Sequence, residues 1–150
     1  LTKEMFVPKS NTSIKVYEQK NAIYKNCTLG NYYISASKYE TMKSFEVFPK
    51  DIIVSCAGTI GETYVLPDNA LKGIINQALM KIKLFNQEIL DFYLIYFDYI
   101  LKNQAKRNSK GSAIKNIPPF EILKRMLMPI PPLNEQKRIV EKIDEIFAKL

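Results

Sequence analysis

The chain has 150 residues, enough for one ordinary domain with a core of its own, and 47% of them are hydrophobic, which places it among globular proteins. Its 22 Lys and Arg outweigh 15 Asp and Glu for a formal charge of +7, an excess that favours a polyanionic or acidic partner. The absence of histidine excludes His-dependent triads, HNH-type nucleases and almost every catalytic zinc site. In chain order, residues 1–50 alternate short extended stretches with polar turns and read as loops and short strands. β-Branched residues 52–54 run into Ser55 and Cys56, a glycine-containing turn at 57–61 and a second extended run at 63–66, which predicts a strand pair. From Ala78 the apolar alternation is regular, with Ala78, Met80, Ile82 and Leu84 on one side and Leu79, Lys81 and Lys83 on the other. That pattern predicts one buried and one wet face. Asn86 is placed to cap a helix running to about Lys102, apolar nearly all round and therefore part of the core.

After Lys102 the chain returns to loop. No acidic residue lies between Asp98 and Glu121, while Lys102, Lys106, Arg107, Lys110 and Lys115 all fall there, so a basic strip coincides with polar, glycine-containing sequence suited to phosphates. Residues 120–133 read as a brief helical or extended connection. A terminal helix then opens at Asn134, an expected N-cap, with Glu135 beside the positive end of the dipole. Ile139, Ile143, Ile146 and Leu150 recur at steps of four, three and four, and Val140 and Phe147 widen the stripe into one suited to a helix partner. A helix packed on its own domain is the alternative. The chain stops inside this helix and starts without an obvious element, so both ends read as incomplete.

Cys27 and Cys56 lack metal-ligand spacing and are too few for a disulfide framework, which suits a reducing compartment. The longest strongly apolar run, 92–97, is bounded by Asp91 and Asp98, and no membrane segment is expected. The 57–62 stretch lacks the Gly-Lys-Ser/Thr ending of a phosphate loop, so Gly58 and Gly61 are read as shaping a turn. Residues 116–120 resemble the Asn-Pro-Pro-aromatic loop of adenine methyltransferases, but Ile117 separates the asparagine from the prolines. Asp68, Glu135 and Lys137 do not assemble into a nuclease centre if Glu135 opens a helix. No catalytic or metal site is expected.

The ordered series GTIG (58–61), GIINQALMKIK (73–83) and GSAIKNIPPFEILKRMLMPIPPLNEQKRIVEKID (111–144) resembles the specificity subunit of Type I restriction–modification enzymes over most of the chain. The resemblance implies an α+β fold: a compact twisted-sheet target recognition domain of mixed α/β structure, at 1–128, followed at 129–150 by the start of a long spacer and docking helix. It implies recognition of double-stranded DNA without catalysis in this chain and without a cofactor of its own. Partner methyltransferase subunits would use S-adenosylmethionine, and through them a restriction or translocase subunit would use ATP and Mg. Members carry two recognition domains held apart by antiparallel helices. A chain with one would be a fragment or would pair with a copy of itself. A prokaryotic cytoplasmic location follows.

The resemblance does not assign base-reading residues, so chemistry supplies the candidates. Base edges are read by Arg, Lys, Asn, Gln, Ser and Thr, and phosphates by Lys, Arg and hydroxyls. Three polar, loop-like clusters qualify: Tyr17, Gln19, Lys20 and Asn21; Ser35, Lys38 and Tyr39; and Lys106, Arg107, Lys110, Ser112, Lys115 and Asn116. Asn76 and Gln77 are read as structural hydrogen-bonding residues. Two rival functions stand beside DNA recognition by a specificity subunit. One is the recognition domain of a single-chain restriction and methylation enzyme; the other is a helix-mediated protein interaction module.

Overall fold

A computed structural model of the chain describes residues 1–57, 59–108, 117 and 120–150, with the side chains of 102–108 and 120 outside that description. The described chain divides into two compact units, Leu1–Lys83 and Leu84–Leu150. The first unit carries seven short strands: β1 Ile14–Tyr17, β2 Tyr33–Ile34, β3 Glu46–Val47, β4 Ile52–Ser55, β5 Thr63–Val65, β6 Gly73–Ile75 and β7 Leu79–Ile82. Two short helices, α1 Gln19–Ile23 and α2 Ala36–Glu40, interrupt them.

The strands form two sheets, one ordered β2-β1-β6-β3 and the other β5-β4-β7. In the first, β1 pairs antiparallel with β2 and parallel with β6, in a register that sets Val16 against Ile74 and Tyr17 against Ile75. Successive strand residues point to opposite faces, and both faces are covered. Val16 and Ile74 pack with Ile34 and Tyr39 on one side, while Tyr17 and Ile75 pack with Ala22, Val47, Ile53, Leu66 and Leu79 on the other. This two-sided burial is why β6 carries no polar side chain and why even Lys15, between apolar neighbours on β1, is buried. The expected strand pair is present as β4 and β5, antiparallel, with Ile53 opposite Tyr64.

Two expectations about this unit change. The region 1–50 holds two helices as well as strands. α1 is closed by a reciprocal cap in which Glu18 accepts from the Asn21 N–H and Asn21 Oδ1 accepts from the Glu18 N–H at 2.8 Å. α2 begins where Ser35 Oγ accepts from the Lys38 N–H at 3.2 Å. Polar residues that look loop-like in sequence are here helix caps. β7 also lacks the expected division into one buried and one wet face: Leu79 is buried, Met80, Lys81 and Ile82 are half-buried, and Lys83, just past the strand, is exposed. Lys81, assigned to the wet face, donates from Nζ to the Glu46 carbonyl at 2.6 Å, so Leu79 and Lys81 turn to the core and the neighbouring sheet while Lys83 stays wet.

The second unit consists of α3 Leu90–Asn108, α4 Phe120–Lys124 and α5 Leu133–Phe147. Asn86 is a cap as expected, its Oδ1 accepting from the Glu88 N–H at 2.9 Å, but it opens a single 3-10 turn, Gln87–Ile89, that leads into α3. α3 also runs past the expected end at Lys102. Phe92, Phe97 and Leu101 are buried, and rings at i and i+4 stack along it, Phe92 on Tyr96 and Tyr93 on Phe97. Tyr96 Oη donates to the Leu127 carbonyl at 3.2 Å, which fastens the segment ahead of α5 to α3.

α5 starts one residue before the expected cap. Pro132 holds the cap position and its carbonyl accepts from the N–H groups of Glu135 and Gln136, so Asn134 lies within the helix. Proline's fixed φ suits a helix entry, and no side chain caps the first turn. α5 packs on the 3-10 turn and α3, and its buried side chain is Gln136, which donates from Nε2 to the Pro131 carbonyl at 2.7 Å.

Candidate nucleic-acid interface

The antiparallel pairing of β1 with β2 decides where the first two polar clusters go. Residues 17–21 follow the end of β1 and residues 35–39 follow the end of β2. Because Ile14 faces Ile34 and the strands run in opposite senses, the clusters leave the ribbon at opposite ends. They do not form one surface. Residues 17–21 are instead met by the loop 26–32.

Three members of these clusters belong to the interior. Tyr17 is fully buried, its hydroxyl donates to the Leu71 carbonyl at 2.7 Å, and burial pushes its phenol well above the ordinary tyrosine range. Asn21, also fully buried, donates from Nδ2 to the carbonyls of Asn26 and Leu29, both at 2.8 Å. Tyr39 is buried and its hydroxyl donates to the Glu46 carboxylate, with the Lys72 ammonium 4.4 Å from its ring centre. Each has its polar atoms committed and no face for DNA, so all three are corrected from contact residues to fold residues.

The remaining members divide. Gln19 is half-buried and accepts from Asn76 Nδ2 at 3.4 Å, and Asn76 Oδ1 accepts from the Ala78 N–H, so Asn76 is structural as expected. Ser35 is spent on the α2 cap, while Lys38 is partly exposed. Lys20 is partly exposed, lies 3.0 Å from the Glu18 carboxylate and holds its ammonium 5.9 Å from the Tyr32 ring centre. The side chains of Lys106 and Arg107 and all of Lys110, Ser112, Lys115 and Asn116 lie outside the described residues.

Around Lys20 the structure gathers side chains that the sequence reading missed. Tyr32 stacks on Phe6 with ring centres 4.4 Å apart and keeps 44% of its surface exposed. Lys9, exposed, places its ammonium 6.0 Å from the Tyr33 ring centre, and the bridge between Val7 and Tyr33 holds that segment on the edge of β2. Asn31, next to Tyr32 in the chain, is exposed. The signal available in sequence was the run Gly30-Asn31-Tyr32-Tyr33, a glycine and an amide directly before two aromatics entering a strand. The resulting surface offers two ammonium groups, one free amide and a stacked ring pair, which together suit phosphate, base edge and sugar.

In the second unit, Ile139, Val140 and Ile143 are half-buried, whereas Ile146, Phe147 and Leu150 are exposed by 52%, 69% and 95%. The stripe is therefore divided along its length. Among the described residues no cluster of His, Cys, Asp or Glu is placed to hold a metal ion, and no helix is long and apolar enough to cross a membrane.

One protein-family model, described as the Type I restriction modification DNA specificity domain, matches residues 3–150. The chain is 32% identical over 127 residues to a putative type I restriction enzyme specificity subunit of Haemophilus influenzae, covering 81% of this chain and 32% of that protein. It is 30% identical over 112 residues to the EcoBI type I specificity subunit of Escherichia coli, covering 72% and 22%. It is 25% identical over 139 residues to the putative MjaX specificity subunit of Methanocaldococcus jannaschii, covering 93% and 32%. A solved structure concerned with complex assembly and conformational transition of the type I restriction–modification system shares the fold, with a TM-score of 0.64 at 20% identity over 99% of this chain and 34% of that one. The chain thus spans about a third or less of the relatives it matches. With a family match running almost from end to end and a matching mixed α/β fold, the chain belongs to the Type I restriction–modification DNA specificity domain family.

Proposed function

We propose that this chain recognises one part of a double-stranded DNA site and directs methyltransferase and restriction subunits to it, contributing no catalysis of its own. The observation that carries the reading is the surface where Lys20 meets the Tyr32–Phe6 ring pair, with exposed Asn31 next to Tyr32 in the chain and Lys9 over the adjacent Tyr33 ring. Ammonium groups neutralise phosphates, an unengaged amide reads a base edge and stacked rings cover sugar. The basic strip with Lys106, Arg107, Lys110 and Lys115 supplies further phosphate contacts on this reading, with Ser112, Asn116 and Lys38 as polar contacts. Residues 1–128 act as the recognition domain and 129–150 as the start of the spacer helix. S-adenosylmethionine, ATP and Mg belong to the partner subunits, and the assembly works in the prokaryotic cytoplasm.

The exposed apolar end of α5, with Ile146, Phe147 and Leu150, supports helix pairing with a second recognition domain or a second copy. The test of the main reading is equilibrium binding of the chain to duplex DNA over a salt series, with methyl transfer and cleavage assayed in parallel. Binding that weakens steeply with salt, without either reaction, is expected. Salt-independent binding, or methyl transfer by the chain alone, overturns the reading.

A further inference from the structure

Lys15 is a lysine with 1% of its surface exposed, set in the middle of β1. Among the described residues its ammonium forms no ion pair with a carboxylate. It donates to the carbonyls of Leu29 at 2.9 Å and Gly30 at 3.1 Å, and the rings of Tyr17 and Tyr33 each lie 5.6 Å away. Burying an ammonium is costly unless its donors are satisfied, and an apolar side chain would fill the same space without that cost. Lysine adds a grip on two consecutive carbonyls of a loop.

The same loop is held twice more. Asn21 Nδ2 donates to Asn26 and again to Leu29, so the Leu29 carbonyl accepts from two buried donors. Gly30 has φ +90°, and a Cβ there would lie 2.6 Å from Glu18 Oε2 and 3.0 Å from Lys20 Cε, so the backbone is pressed against the ion pair at the head of α1. Three interior fastenings converge on residues 26–30. The next residue is Asn31, exposed and with no hydrogen bond from its amide among the described residues, followed by Tyr32 on Phe6.

We infer that loop 28–32 is a preformed base-reading element, in which Asn31 is the specificity-determining side chain and Lys15 the positioning residue that holds it. The inference rests on the DNA-recognition reading above. An asparagine amide offers one donor face and one acceptor face, the pair that the N6 and N7 edge of adenine takes in the major groove. Such a contact requires the side chain to be held within about 0.5 Å of its productive position. A loop anchored at two carbonyls immediately ahead of the reading residue meets that need, with Lys20 beside it for a phosphate.

The experiment selects duplexes from a randomised library with the wild-type chain, sequences them, and then compares variants on an enriched and a scrambled duplex. The wild type is expected to enrich a motif containing adenine. Asn31→Ala should lower the preference for the enriched duplex by about 5- to 150-fold while leaving affinity for the scrambled duplex unchanged. Lys15→Met should lower the same preference and loosen the backbone at 29–32, read as lower NMR order parameters there, whereas Lys20→Ala should weaken both duplexes alike. Full preference retained by Asn31→Ala overturns the inference and leaves the DNA reading standing; a wild type that binds no duplex overturns the DNA reading and this inference with it. Unchanged preference or unchanged order parameters at 29–32 in Lys15→Met overturns the positioning role, and so does a Lys15→Met chain that fails to fold, since Lys15 would then serve the core as a whole. Asn31→Ala, at an exposed position, decides the base-reading half in either case.

Discussion

The ring of Tyr17 lies so close to Gly73 on the neighbouring parallel strand that a Cβ on the glycine would sit 2.5 Å from Tyr17 Cε2 and 2.7 Å from the Lys15 carbonyl oxygen. Neither neighbour can give way: the carbonyl is β1 backbone, and the ring is tethered by its hydroxyl to Leu71. Gly73→Ala is therefore expected to destabilise the first unit by about 1–3 kcal/mol through overpacking, measured as a lower urea midpoint. A midpoint equal to the wild type's would show that the strands separate freely at this point.

Tyr39 and Glu46 give a pH-dependent stability. The hydrogen bond to the Glu46 carboxylate, aided by burial, raises the Tyr39 phenol from its ordinary 10.0 to about 12. The folded state thus holds this proton where the unfolded chain has released it. The contribution is present in full below about pH 10 and is lost as pH rises from there towards 12. Tyr39→Phe should unfold with a shallower pH dependence across that window in chemical denaturation. Identical slopes for the two proteins would exclude the pair as the cause.

Salt dependence separates phosphate contacts from base contacts. Four neutralised phosphates give a slope of log affinity against log salt of roughly −3.6, at about −0.9 each. Lys20→Ala, Arg107→Ala, Lys110→Ala and Lys115→Ala are each expected to make the slope shallower by about 0.9 with thermal stability unchanged. A set of four unaltered slopes would mean that DNA is bound elsewhere.

α5 calls for two different substitutions because its stripe is divided. Ile143 is half-buried on a helix packed on α3, so Ile143→Asp should unfold the second unit. Ile146 and Phe147 are exposed by 52% and 69%, so Ile146→Asp with Phe147→Asp should leave the fold intact and remove self-association. Each buried apolar side chain contributes roughly 1.5–3 kcal/mol before the cost of association, which makes the wild-type dimer weak. Sedimentation of wild type and double variant as the same species at high concentration would count against pairing through this end of the helix.

Local patterns determined much of this protein. The β4–β5 pair, the Asn86 cap, the apolar α3 and the terminal amphipathic helix were all legible because each depends on neighbours within a few positions. The family was legible from an ordered series of short motifs. Tertiary structure decided the rest. Whether Tyr17, Asn21 and Tyr39 were loop or interior depended on what packs over them: Leu71 is 54 residues from Tyr17 in sequence, and no local pattern records that distance. Leu79 and Lys81 of β7 were misassigned to a wet face for the same reason, since Lys81 is drawn inward by the carbonyl of Glu46, 35 residues away. The candidate surface itself is a product of antiparallel pairing, which sends two polar clusters to opposite ends of one ribbon and brings Phe6, Asn31 and Tyr32 to Lys20. A lysine in a strand reads as solvent-facing from composition alone; only the fold, by closing both faces of β1 and turning the carbonyls of Leu29 and Gly30 towards it, made Lys15 an interior anchor.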